Sequence, residues 1–333
     1  MNRWINVCLF CCLMVLGSCK QNDFIPETTE VVLRVSDSRA ADPNATSVEG
    51  IQKLRVFAVQ GEEGQGKIIY NEVYDFSNDT DPLLEKTFRL YDIPEGMTRF
   101  YVIANEEQYG IEFTTQKISE MWASADPNSH KLEYVDEQRT YLPKQAKDQA
   151  TDSNNEIVAL PISGKAVVDV KKGMDPITIP VVRAAVKIKV SVSNMVGTDI
   201  TLQQVNFGNF FSDRVYIINE TNLDVPSDAN YAGATFVVKD RLIKTGTAEE
   251  FIFYAYPTFA YQSGTDNPYR IGFTTAGGGY PLQVFVKNGQ GLNSIARNTQ
   301  LNINATITKE AQVILNFEVT GWESKDIDIP SFN

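Results

Sequence analysis

Short apolar runs, each bounded by Gly, Pro, Asn, Asp or Ser, recur along most of the chain. Runs of about four to eight residues that are rich in Val, Ile, Phe and Tyr are typical of β-strands, and their regular spacing favours β-sandwiches. The pattern predicts strands at residues 31–35, 54–59, 68–74, 87–91, 99–104, 166–170, 177–192, 201–207, 215–218, 234–238, 251–256, 269–274, 282–286, 300–307 and 312–319.

One segment departs from the strand pattern. Residues 115–124 carry Ile118, Met121 and Trp122 at helical spacing, which predicts one short helix in the first half of the chain. The clearest break in the middle of the chain is the turn-rich segment 171–176, and we place a domain boundary there. The prediction is an all-β protein with two tandem antiparallel β-sandwich domains, at 40–173 and 174–333, that share an architecture without a sequence repeat.

The amino terminus has the three parts of a secretory signal. A basic residue, Arg3, precedes an apolar core from about Val7 to Leu16, and small residues follow before Cys19. The apolar stretch is shorter than the ~20 residues that a membrane span needs. The tetrapeptide Leu-Gly-Ser-Cys at 16–19 resembles a bacterial lipobox, in which the cysteine takes a diacylglyceryl group and the signal is removed. We therefore expect a signal peptide at 1–18 and a lipidated Cys19.

Composition and charge exclude several classes of function. The formal net charge is −12 and the basic residues form no run, which argues against nucleic-acid binding. All four cysteines lie at or before Cys19, so the mature chain has no disulfide and no thiolate metal site. The only histidine, His130, lies in a polar run, which leaves no Cys–His pair or Ser–His–Asp triad to assemble. We expect no enzymatic activity, no bound metal and no other cofactor. Two catalytic carboxylates need only meet in space, so the sequence alone does not exclude such a pair.

Several segments resemble the fimbrillins, the subunits of the type V pili of Bacteroidetes-type bacteria. They are Cys19 with its lipobox and the segments 31–40, 54–59, 100–105, 160–164, 182–188, 297–298 and 321–322, in this order over nearly the whole mature chain. The resemblance implies two transthyretin-like β-sandwich domains and a structural role in a surface fimbria that serves adhesion. It also implies a location: a surface-exposed lipoprotein of the outer membrane that later enters the fimbrium.

The resemblance further implies a maturation step. A lipidated precursor reaches the cell surface, an arginine-specific protease cuts the loop after the first strand, and that strand leaves with the lipid. The matching bond is Arg39-Ala40, because it follows a short apolar strand and lies in a polar loop. Residues 19–39 would then form a lipidated propeptide, and the displaced strand would carry Val31, Val32, Leu33 and Val35. The alternative for Arg39 is an ordinary solvated arginine.

A vacated strand position leaves unpaired backbone groups and an apolar floor, which favours the capture of any strand that fits. The candidate donor is the carboxyl-terminal stretch 325–333, where Ile327 and Ile329 alternate with acidic residues and Phe332 follows Pro330. The alternative is an edge strand of its own second domain. The implied partners are other fimbrial subunits, the maturation protease, the outer membrane through the lipid, and ligands on host or bacterial surfaces.

The sequence is compatible with two other functions. The chain is also compatible with the anchor subunit of a pilus, which keeps its lipid. The other hypothesis is a surface lipoprotein that does not polymerise and binds glycan or another ligand through its sandwich loops. Four tyrosines are candidates for stacking on sugars, although alternation in strands favours core packing for them: Tyr254, Tyr256, Tyr261 and Tyr280.

Overall fold

The structure of the 333-residue chain is a computed structural model. The structure describes residues 27–37, 50–61, 66–76, 85–109, 113–116, 118, 159–212, 215, 217–218, 229–258, 269–287, 289–292 and 294–322. Strands dominate this part of the chain, and a short 3-10 turn occurs at Glu106–Tyr109. Among the described residues, no helix has the length and apolar character needed to cross a bilayer.

The first seven strands form one sheet. Their bounds are β1 Thr28–Asp37, β2 Lys53–Gln60, β3 Lys67–Asp75, β4 Glu85–Pro94, β5 Gly96–Ala104, β6 Ile162–Val170 and β7 Ile177–Arg183. The order across the seven-stranded sheet is β3-β2-β5-β6-β7-β1-β4. Every neighbouring pair is antiparallel except β1 and β7, which are parallel.

This sheet folds over to make a sandwich, and the fold line lies between β6 and β7. Those two strands pair only through Ile162 with Arg183 and Ser163 with Val182. Beyond that point β6 stays with β5, while β7 stays with β1. Apolar residues of both layers meet in one buried core, from Val31 and Leu33 on one side to Val56 and Phe100 on the other. The alternating apolar pattern of each strand supplies this core.

Glycine is required where the sheet divides. A Cβ placed on Gly164 would lie 2.3 Å from the Pro180 carbonyl oxygen and 2.9 Å from Val181 Cγ1. Both distances are shorter than real contacts of that kind, so β6 can pass this close to β7 only because the position has no side chain.

The second half forms a sandwich of two four-stranded sheets. The strand bounds are β8 Val186–Met195, β9 Ile200–Ser212, β10 Tyr231–Ile243, β11 Ala248–Ala255, β12 Arg270–Thr275, β13 Gly278–Val284, β14 Val286–Lys287, β15 Gln290–Gly291, β16 Thr299–Thr308 and β17 Val313–Gly321. One sheet has the order β10-β9-β12-β13 and the other β11-β8-β16-β17. Between them lies an aromatic-rich core in which the Phe207 ring makes edge contacts with Phe210, Phe211, Phe236 and Phe253.

The two halves share one topology. In each, the second, third, fifth and sixth strands form one layer. The first strand lies in the other layer, between β4 and β7 in the first half and between β11 and β16 in the second, where the short pair β14–β15 precedes β16 as a separate two-stranded sheet. The first strand is parallel to one neighbour and antiparallel to the other in both halves, with β8 taking the place that β1 has in the first sandwich. The strand β17 is an addition beside β16. The predicted class, an all-β chain with two sandwiches, is confirmed.

One long predicted strand is two strands in the structure. The run 177–192 was expected to be continuous, but it divides at Ala184-Ala185, so this prediction is wrong. The Ala184 N–H donates to the Pro161 carbonyl at 2.8 Å, whereas the Ala185 carbonyl accepts from the Asn298 N–H at 2.8 Å. Neighbouring alanines therefore pair within different sandwiches.

The boundary predicted near 173 assigns β7 to the second domain, yet β7 pairs with β1 and β6 of the first sheet.

One other local prediction differs from the structure. Residues 215–218 were expected to be a strand, but Ile217 and Ile218 lie in a bend and pack, with Val215, against Phe57 and Tyr101 of the first sandwich. Apolar content marked this segment correctly as buried and wrongly as a strand.

In the predicted helix at 115–124, the Ile118 N–H donates to the Thr114 carbonyl at 2.9 Å. Most of that segment, including Met121 and Trp122, lies outside the described residues, so the helix stays a prediction.

Candidate functional site

The first strand occupies an interior position of the first sandwich. It pairs antiparallel with β4, from Thr28 opposite Pro94 to Ser36 opposite Glu85. On its other side it pairs parallel with β7, from Leu33 opposite Ile177 to Asp37 opposite Val181. The strand nearest the amino terminus is therefore held between two strands that come much later in the chain.

The pairing of β1 with β4 is longer than its pairing with β7. Residues 33–36 have β4 on one side and β7 on the other, Asp37 is paired with β7 alone, and residues 28–32 are paired with β4 alone. We call residues 33–36 the two-walled half of the β1 position and residues 28–32 the one-walled half. In the two-walled half, the backbone N–H and C=O of every residue face a neighbouring strand. In the one-walled half, only every second residue directs these groups toward a strand, which is β4.

Three side chains of β1 enter the core. Val31, Leu33 and Val35 are completely buried and belong to the core cluster of the first sandwich. Val32 is half-buried and Arg34 is exposed, so these two residues lie on the opposite face. Burying a side chain of this size contributes about 1.5–3 kcal/mol relative to leaving it exposed. The strict alternation fixes which face of β1 can point inward.

Charge contributes little to the retention of β1. Arg89 on β4 forms an ion pair with Glu30, but the two side chains are 63% and 40% exposed. Exposed pairs of this kind contribute between about zero and 1 kcal/mol. At the start of the strand, the Glu95 N–H donates to the Glu27 carbonyl at 2.9 Å. The main interactions that hold β1 in the sandwich are therefore its backbone hydrogen bonds and the burial of its three core side chains.

The geometry defines what the departure of β1 would leave behind. The inner edges of β4 and β7 would lose their partners, and the core would open above Phe100 and Val102 of β5 and Val56 of β2. Unpaired backbone groups over an apolar floor form a binding site for an extended segment with alternating apolar side chains. We call this site the β4–β7 groove.

The remaining site residues predicted from the sequence lie outside the described residues. These are the lipidation residue Cys19, the cleavage pair Arg39 and Ala40, and the donor residues Ile327, Ile329 and Phe332. The described part of β1 ends at Asp37, two positions before the predicted cleavage residue, and the description resumes at Gly50. At the other end of the chain it stops at Trp322.

A junction between the two sandwiches was not foreseen from the sequence. Four of the segments that carry the resemblance meet there: 160–164, 182–188, 297–298 and 321–322. The Trp322 N–H donates to the Asn298 carbonyl at 3.2 Å, and the Asn298 N–H donates to the Ala185 carbonyl. Leu160, Ala185, Tyr254 and Trp322 form one buried cluster. The signal that could have revealed the junction was the co-occurrence of these short motifs in one chain.

The Trp322 ring is the centre of this junction. The guanidinium of Arg183, which is fully buried, lies 5.1 Å from the ring centre, and the Lys187 ammonium lies 5.7 Å from it. Tyr254 stacks on the ring with centroids 5.8 Å apart. Cations over an indole face are attracted by its quadrupole, and more strongly when water is excluded. The last described residue of the chain is thereby fixed beside the end of β7.

The tyrosines considered for sugar stacking are mostly internal. Tyr254 and Tyr256 are buried, and Tyr280 is half-buried and packs against the core of the second sandwich. Core packing, the interpretation that alternation favoured, is confirmed for the first two. Tyr261 lies outside the described residues. In the part of the chain that the structure describes, no three His, Cys, Asp or Glu side chains are grouped to hold a metal ion.

Comparison with solved structures identifies the type of fold. The chain is similar to the tip fimbrial protein Mfa3 of Porphyromonas gingivalis, solved with a C-terminal truncation, with a TM-score of 0.55 and 12% identity over 89% of this chain and 100% of that one. The chain has a fimbrillin-type fold. A fimbrial assembly protein from Parabacteroides distasonis is similar over 88% of this chain and 98% of its own, with a TM-score of 0.52 and 13% identity. No protein-family model and no curated protein sequence matches the chain.

Proposed function

We propose that the protein is a structural subunit of a surface fimbria that serves adhesion. In this proposal the subunit assembles after proteolytic removal of β1, when a strand from another subunit enters the β4–β7 groove. The observation that carries the proposal is the position of β1, an interior strand at the amino-terminal end of the chain with three completely buried side chains. The fimbrillin-type fold supports it, because similar folds occur in a tip fimbrial protein and a fimbrial assembly protein.

Cleavage at Arg39-Ala40 would turn β1 into a separate peptide. The bond lies two residues beyond the end of β1, in a polar stretch, so a protease would not have to unfold the sheet to reach it. Arg34 is the other arginine in this region, but its backbone is paired with both β4 and β7. After cleavage, β1 would stay bound only through contacts that a competing strand can replace.

The proposed competitor is the carboxyl-terminal tail of another subunit. Its residues Ile327 and Ile329 share one face of an extended segment, as Val31, Leu33 and Val35 do in β1. Replacement of one strand by another restores the backbone pairing of β4 and β7 and closes the core again. The free energy that is recovered in this way would hold the polymer together.

Lipidation would place the precursor on the outer membrane before assembly. Cys19 is separated from the first residue of β1, Thr28, by only eight residues, so the acylated terminus and β1 belong to one short propeptide. Cleavage would release the remaining chain from its lipid at the same moment that it opens the groove. Anchoring and assembly would therefore be controlled by one peptide bond.

The experiment that tests the proposal is treatment of the purified full chain with an arginine-specific protease. We expect a new amino terminus at Ala40 and a ladder of oligomers on a gel run without boiling, and neither product from an Arg39→Ala variant. A chain that is trimmed but stays monomeric would support the non-polymerising lipoprotein instead. A chain that resists cleavage at Arg39 would support the lipid-retaining anchor.

A further inference from the structure

The β4–β7 groove restricts where a proline can lie. Proline has no backbone N–H, so it leaves an acceptor unpaired wherever a strand has neighbours on both sides. In the two-walled half, at residues 33–36, every N–H of β1 faces β4 or β7. In the one-walled half, at residues 28–32, alternate N–H groups face no strand. A donor strand can therefore place a proline only in the one-walled half.

The carboxyl-terminal tail contains such a proline next to its apolar pair. Ile327 and Ile329 are followed directly by Pro330. The groove has three inward positions, which Val31, Leu33 and Val35 now fill. Two adjacent inward positions must take the two isoleucines, and the choice of positions and of strand direction fixes where Pro330 falls.

A tail that runs in the same direction as β1 does not satisfy this restriction. With the isoleucines in the places of Val31 and Leu33, Pro330 takes the place of Arg34. With the isoleucines in the places of Leu33 and Val35, Pro330 takes the place of Ser36. Both places belong to the two-walled half, where β1 is paired with β4 and β7.

A tail that runs in the opposite direction satisfies it. If Ile327 takes the place of Val35 and Ile329 that of Leu33, Pro330 falls in the place of Val32, in the one-walled half. The other reversed register moves the isoleucines on by two residues and puts Lys325 into the Val35 position, which is completely buried. Burial of an unpaired ammonium is costly, which excludes that register.

Charge on the outer face agrees with the reversed register. When β1 departs, Arg89 loses Glu30, its partner in the ion pair. In the reversed register Asp328 takes the place of Arg34, on the same outer face as Arg89 and diagonally across from it. Diagonal neighbours on one face of a sheet lie within reach of a long side chain. Because a tail that runs in the same direction as β1 also brings an aspartate to Arg89, charge allows the reversed register and the proline decides the direction.

We propose that the β4–β7 groove binds residues 325–333 of a second copy of this chain in the direction opposite to β1, with Ile327 in the place of Val35 and Ile329 in that of Leu33. The donor strand then runs antiparallel to β7 and parallel to β4, the inverse of the present pairing. This inference rests on the proposed function, since it requires β1 to leave.

Pairs of introduced cysteines test the direction. In the reversed register Asp326 takes the place of Ser36, opposite Glu85 on β4. In the same-direction register with Ile327 in the place of Leu33, Asp326 takes the place of Val32, opposite Arg89. Two double variants, Asp326→Cys with Glu85→Cys and Asp326→Cys with Arg89→Cys, are made in a full chain whose four natural cysteines are serines. Each is treated with the arginine-specific protease, oxidised, and separated on a denaturing gel with and without reductant.

We expect covalent oligomers, sensitive to reductant, from the Glu85 pair and at least tenfold less cross-linking from the Arg89 pair. Preferential linkage through the Arg89 pair, or oligomers that neither pair links, would overturn the direction while leaving the proposed function intact. Cross-linked monomers from the Glu85 pair would show that the tail binds the groove of its own chain and would overturn the assignment to a second copy. Absence of oligomers from the parent chain as well would overturn the proposed function and this inference together.

Discussion

The guanidinium carbon of Arg183 lies 5.1 Å from the centre of the Trp322 ring, and both side chains are buried. Arg183 is the last residue of β7, which forms one wall of the β4–β7 groove, and Trp322 directly follows β17. The contact therefore joins the strand beside the groove to the point where the carboxyl-terminal tail begins. Trp322, the last residue before the tail, is thereby held at the junction of the two sandwiches.

Replacement of Trp322 should weaken the whole molecule. Trp322→Ala removes the ring that stacks on Tyr254 and receives Arg183, so we expect a loss of about 3–5 kcal/mol in the free energy of unfolding, the range for a buried tryptophan or phenylalanine. Urea unfolding followed by tryptophan fluorescence and circular dichroism measures it. Tyr91→Ala is the control, because that ring is 60% exposed and its removal should change stability by no more than about 0.5 kcal/mol. Equal losses in both variants would contradict the importance of the junction.

A methyl group at position 164 should disturb the division of the first sheet. In Gly164→Ala the new Cβ would meet the Pro180 carbonyl oxygen at 2.3 Å, so β6 and β7 must move apart. Overpacking of this kind costs about 1–3 kcal/mol. Gly279→Ala is the matched control, since no atom lies within 4 Å of its Cβ position. Thermal unfolding of the two variants should show a lowered melting temperature for the first alone, and a stable Gly164→Ala protein would mean that the strands are not packed this closely.

The retention of β1 should depend on its buried residues. Leu33→Ala deletes a completely buried side chain, which costs about 2–5 kcal/mol, and it should speed the loss of the β1 peptide after cleavage at Arg39. Val32→Ala, on the half-buried opposite face, should have a smaller effect. Mass spectrometry of the cleaved protein at successive times after rapid gel filtration gives the two release rates. Similar rates would show that core burial does not control the departure of β1.

Local patterns predicted most of the strands but not how they are combined. Alternation of apolar residues located β1 and its inward face, because the period of two depends only on the residues themselves. The same rule could not divide 177–192, since the break at Ala184-Ala185 is set by hydrogen bonds to Pro161 and Asn298, which are remote in sequence. The walls of the groove escaped prediction for the same reason. Which strands lie beside β1 is a property of topology, and no feature of residues 28–37 specifies β4 or β7.

The membrane anchor can be tested independently of assembly. Because Leu16-Gly17-Ser18-Cys19 matches a lipobox, Cys19→Ala should abolish acylation and move the protein from the membrane fraction to the soluble fraction. Metabolic labelling with a fatty acid and partition between detergent and aqueous phases measure both properties. Cys12→Ala is the control, and it should keep the label. Label on the Cys19→Ala protein would exclude lipidation at this residue.

Removal of the tail tests most directly whether a tail from one subunit replaces β1 in another. A chain without residues 325–333 keeps its groove but cannot donate, so its melting temperature should stay within a few degrees of the parent value. After treatment with the arginine-specific protease it should form no oligomers alone. Mixed in equal amounts with the parent chain, it should shorten the ladder, because it can accept a tail and then stops growth. Ladders from the truncated chain alone would contradict the account.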